Sequence, residues 1–86
     1  MRPISIEQLR TFIVGSELDR VEIARIAGVD PTALSRWLTG ARRPQPQNLM
    51  RVQRAALAVW RTRAMRNAAA LHELLAAALR EEDENE

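Results

Sequence analysis

Apolar residues recur at helical spacing in four stretches of the chain, with capping residues and glycines between them. The first stretch is Ile6, Leu9, Phe12 and Ile13. Ser5 and Gln8 stand ahead of it three residues apart, the spacing of a capping box in which the hydroxyl accepts from an early helical N–H and the Gln side chain reaches back. The pattern predicts a helix ending near Gly15. Asp19 and Glu22 repeat the spacing before Ile23, Ala24 and Ala27, which predicts a second helix of about two turns stopped by Gly28. Asp30-Pro31 opens a third: Asp accepts from the unpaired N–H groups, and Pro at the first helical position gives up no bond it would have made. Leu34, Trp37 and Leu38 share its inner face as far as Gly40. Ala41 to Pro46, with two Arg and two Pro, reads as a rigid basic connection, after which Gln45 and Pro46 begin the last helix.

From Gln47 onward there is neither Gly nor Pro, and Ala, Leu, Arg and Glu dominate. Unbroken to Arg80, such a helix has about 34 residues and a length of roughly 50 Å, far more than a three-helix head can cover. The alternative is a break at Asn67, which can cap a separate helix over Ala68 to Leu79. Residues 81–86 are too charged to pack and are expected to fray. The expected fold class is all-α: a compact head of about four helices over residues 1–57, an oligomerisation arm over 58–80 and an acidic tail over 81–86. One Phe, no Tyr and three Gly in 86 residues agree with helices rather than sheet.

Charge sharpens this division. Met1 to Arg66 holds 12 Arg against five acids, and Asn67 to Glu86 one Arg against six. Every basic residue is Arg, whose planar fork suits phosphate oxygens and guanine edges, so the head is expected to meet a polyanion.

Two short helices joined by a tight turn, with small Ala24, a left-handed position at Gly28 and Val29, Leu34 and Trp37 filling the angle between them, match the helix-turn-helix motif. The run Ile23 to Gly40, including Leu34-Ser35-Arg36-Trp37-Leu38, followed by Ala41-Arg42-Arg43-Pro44, resembles the lambda-repressor-like, Cro/Xre-type helix-turn-helix domains. The resemblance covers Ile6 to Leu57. It departs from the family in a short first helix linked through Gly15 to Leu18, and in four helices plus an arm where the family has a five-helix head.

The resemblance implies double-stranded DNA as partner, with Pro31, Thr32, Ser35 and Arg36 facing base edges. Arg36 is the principal reader, since its fork can bond guanine O6 and N7 together. Pro31 has no donor to offer, which shifts weight to DNA shape. Phosphate contacts are implied for Arg20, Arg42, Arg43, Gln47 and Asn48. Arg25, Arg51, Arg54, Arg61, Arg63 and Arg66 read as solvated or paired with acids.

Other chemistries find no constellation. There is no cysteine, and His72-Glu73 lacks the second histidine of a zinc-binding helix. Gly15, Gly28 and Gly40 are isolated, so no phosphate-cradling loop exists. No catalytic residue, metal site or cofactor is expected, and Trp37 and Trp60 read as packing residues. Without a signal peptide or an apolar run near 20 residues, the expectation is a cytoplasmic protein with no membrane partner.

Leu57, Trp60, Ala64, Ala68, Leu71, Leu75 and Ala78 follow one another at helical spacing and are expected to pair two copies. The functional expectation is a dimeric, sequence-specific transcriptional regulator of bacterial or phage type, acting as a repressor. The alternatives are an oligomeric phage DNA-packaging or replication protein, and an antitoxin-like adaptor that holds a protein partner through the arm.

Overall fold

A computed structural model describes residues 1–85, with side chains through Glu82. It contains four helices: α1 (Ile6–Gly15), α2 (Arg20–Ala27), α3 (Pro31–Thr39) and α4 (Pro46–Asn85), and no strand among the described residues. The caps explain where the short helices begin. The Ser5 hydroxyl accepts from the Gln8 amide at 3.0 Å, and the Ser5 amide donates to Gln8 Oε1 at 2.9 Å. Asp19 accepts from the Val21 and Glu22 amides, and Asp30 from the Thr32 amide at 2.7 Å. The second capping box is only half formed, because the Glu22 carboxylate turns to Arg25 at 2.5 Å instead of reaching back.

The three short helices end on left-handed backbone. Gly28 (φ 70°) and Gly40 (φ 83°) close α2 and α3 as glycines can without penalty. At the end of α1 the left-handed residue is not Gly15 but Glu17 (φ 52°). There the Leu18 amide donates to the Ile13 carbonyl at 3.0 Å and the Glu17 amide to Val14 at 3.1 Å, the paired bonds of a Schellman turn. The turn drops Leu18 into the core, and α2 starts two residues later, behind the Asp19 cap.

The core is a single cluster: Leu9 and Ile13 from α1, Ile23 and Ala24 from α2, Leu34 and Leu38 from α3, and Val52, Ala55 and Ala56 from α4, with Leu18 between. Ala24 is completely buried, consistent with a close α2–α3 crossing that a larger side chain would push apart. Two polar side chains fasten this head. Gln53, 4% exposed, donates from Nε2 to the Arg2 carbonyl at 2.7 Å and accepts at Oε1 from the Ile4 amide at 3.0 Å, tying the N-terminal segment to α4. Arg10 donates from Nε to the Leu38 carbonyl, supplying a partner for an unpaired group near the end of α3.

Helix α4 is unbroken at Asn67 and passes Arg80 without fraying, continuing to Asn85; Glu86 lies outside the described residues. Extending an existing helix gains one hydrogen bond per residue with no new nucleation cost, and Glu is a good helix former, so a run of acids near the C-terminal end does not stop it. The result is elongated. Its extents are 62 × 24 × 20 Å and its radius of gyration is 18.0 Å. A compact chain of this length would have a radius of gyration of about 12 Å.

Candidate nucleic-acid interface

The outer face of α3 follows from the burial of its inner face. At 100° per residue, fixing Leu34 and Leu38 in the core turns Thr32 and Arg36 outward and Ser35 to the edge of that face, while Pro31, one turn ahead of Leu34 on the inner side, is left open by its place at the start of the helix. All four are solvent-exposed. Thr39 lies on the same face, one turn beyond Ser35, and was not singled out by the sequence; its hydroxyl donates to the Arg36 carbonyl at 3.2 Å. Asp30 holds the first turn through its cap, and Arg10 holds the last through Leu38. The helix is thus fixed at both ends while its polar face stays open.

The basic connection is tied to this helix. The Arg42 amide donates to the Arg36 carbonyl at 3.2 Å, which folds the chain back against the C-terminal turn of α3 and brings two arginines into one neighbourhood. Arg42 and Arg43 are exposed. Arg20 is exposed at the first position of α2, directly after the Asp19 cap. Gln47 is exposed in the first turn of α4, whereas Asn48 is half-buried and offers less reach.

Among the described residues the single ion pair is Glu22–Arg25. The hydrogen bond from Arg25 holds the Glu22 carboxyl below its ordinary value and raises Arg25 above its own. Arg20, Arg36, Arg42 and Arg43 have no acidic side chain within ion-pair distance among the described residues. The neighbouring acids Asp19 and Asp30 are engaged as helix caps. The surface around α3 therefore carries uncompensated cations, with planar donors suited to phosphate and to guanine. Arg63 differs from its reading as a solvated residue: it is half-buried, and its Nη1 donates to the Glu17 carbonyl at 3.3 Å, bracing the strained α1–α2 link from α4.

Gln53, Arg10 and Glu17 escaped the sequence reading. Gln53 alone left a trace there, as a polar residue flanked by Val52, Ala55 and Ala56. No helix among the described residues is long and apolar enough to cross a membrane. The family model HTH_3, helix-turn-helix, matches residues 6–55, which span α1 to the first part of α4 and more than half of the chain. No curated protein and no solved structure matches the chain.

Proposed function

Because the chain belongs to the helix-turn-helix family of Cro/C1 type, and is therefore a DNA-binding transcription regulator, we propose that it acts as a dimeric, sequence-specific repressor of bacterial or phage type. The observation that carries this reading is the open face of α3, clamped at both ends, with Arg36 exposed on it and Arg42 fastened to the same turn. In this reading α3 enters the major groove. Arg36 reads a guanine, Thr32 and Ser35 add hydrogen bonds or a thymine-methyl contact, and Pro31 packs without donating. Arg20, Arg42, Arg43, Gln47 and Asn48 hold phosphates and set the register without reading sequence.

Dimerisation is supported by the apolar residues that α4 leaves in solvent. Leu71 is 57% and Leu75 55% exposed, and Trp60 is also exposed on the same helix. Covering them in a two-fold pair presents two heads to an inverted repeat. Repression by occupying a promoter requires only a DNA-binding head and a pairing arm, the two roles this reading gives to residues 1–57 and to the far part of α4. No catalytic role enters this reading.

The test is the native mass of the complex with a duplex selected from random sequence. Two chains per duplex are expected, falling to one when Leu71→Asp and Leu75→Asp are combined. A larger ring, as a packaging protein would form, or a single wild-type chain per site contradicts the dimeric reading.

A further inference from the structure

The geometry points to antiparallel pairing of two α4 arms, centred on Leu71; the proposal rests on the dimeric reading above and specifies its surface. Leu57, Ala64, Ala68, Leu71, Leu75 and Leu79 fall within a stripe about 80° wide at 100° per residue. The face that packs on the head, Val52, Ala55, Ala56 and Val59, lies roughly 150° around the helix from that stripe. The helix has no break at which the arm could fold back. From Ala68 to Leu79 the stripe is exposed and beyond reach of its own head, and a second copy covers it in this proposal.

The charge along the arm selects that molecule and its direction. No acid occurs between Asp30 and Glu73, while Arg61, Arg63 and Arg66 crowd the head end of the arm. Beyond Glu73 the balance reverses, with Glu81 and Glu82 exposed near the far end. The arm is thus positive near the head and negative near its tip. A parallel pair sets like charge beside like along its whole length. An antiparallel pair sets Arg61 of each copy, at the edge of the stripe, beside Glu82 of the other, and the attraction is greatest where the stripe excludes water.

Side-chain size selects the same register. With Leu71 facing Leu71 across the two-fold axis, facing residue numbers add to about 142. Ala68 then lies beside Leu75 and Ala64 beside Leu79, so on either side of the Leu71 pair at the axis each leucine of the stripe sits next to a small residue. Parallel pairing stacks Ala on Ala and Leu on Leu, so the helix separation that suits the leucine layers leaves the alanine layers loosely packed. Residues 60–82 overlap in the antiparallel pair, a contact of roughly 34 Å.

The chain contains no cysteine, so disulfide trapping tests the arrangement directly. Ala64→Cys and Ala78→Cys chains are mixed in a thiol-exchange buffer, with each alone and Leu71→Cys in parallel, and sedimentation is run on every sample. The expected result is a mixed disulfide joining position 64 of one chain to position 78 of the other, at least tenfold in excess of either symmetric product, with Leu71→Cys crosslinking to itself. A dominant symmetric product from Ala64→Cys, in chains that sediment as dimers, overturns the antiparallel arrangement but leaves dimerisation standing. Monomeric sedimentation with no crosslink even for Leu71→Cys overturns both.

Discussion

Gln53→Ala removes the side chain whose two hydrogen bonds tie the N-terminal segment to α4, and its cost can be worked from those bonds. If residues 2–4 stay in place, the Ile4 amide and Arg2 carbonyl lose their partner, at roughly 0.5–1.5 kcal/mol for each bond. If the segment peels away, water satisfies both groups, but the half-buried Ile4 side chain leaves the core cluster, a loss of about 1–2 kcal/mol. Either route costs about 2 kcal/mol, which for a domain of this size lowers the midpoint by roughly 8–16 °C. The assay is urea unfolding at matched protein concentration, since association adds to stability. Deleting residues 1–4 in both backgrounds completes a double-mutant cycle, and a coupling of about 1–2 kcal/mol is expected because the deletion removes the partners of the same carboxamide. A Gln53→Ala chain within about 0.5 kcal/mol of the parent, or deletion and substitution effects that simply add, refutes the clamp.

Glu17→Gly relieves a left-handed residue that carries a side chain while retaining the carbonyl that accepts from Arg63; a gain of about 0.5–1 kcal/mol in urea unfolding is expected, the relieved strain exceeding the added chain entropy. Asp30→Ala removes the α3 cap and costs about 1 kcal/mol of stability, measured in the same way, while Asp30→Asn retains most of it. In salt titrations of DNA binding, Arg42→Ala and Arg43→Ala each reduce the logarithmic salt slope by roughly one unit and weaken all duplexes alike.

Where the chemistry was local, the sequence displayed the structure. Ser5 with Gln8, and Asp30 with Pro31, set helix starts by bonds spanning two or three residues, and Gly28 and Gly40 end α2 and α3 because few other residues adopt their backbone easily. The inner and outer faces of α3 followed from Leu34, Trp37 and Leu38, which left Arg36 outside. What did not show depends on residues distant in sequence. Gln53 finds Arg2 and Ile4 about 50 residues away, and Arg10 reaches Leu38 across the head, so no periodicity announces either. Glu17 was obscured by Gly15, the residue that the usual preference for glycine at helix ends would choose. The continuity of α4 was open because Asn67 serves as either a cap or an interior residue, and the surrounding Ala, Leu and Arg settle it in favour of propagation.

The most direct test is selection of binding sites from random duplex DNA by the wild-type chain and by Arg36→Ala, sequenced side by side. An inverted-repeat site is expected for the wild type, and the mutant is expected to lose preference at one guanine in each half-site, a discrimination of about 1–3 kcal/mol, while keeping the rest of the pattern. No enriched site for the wild type, or an identical site from a folded Arg36→Ala chain, contradicts the assignment of α3 as the reading helix with Arg36 as its principal reader.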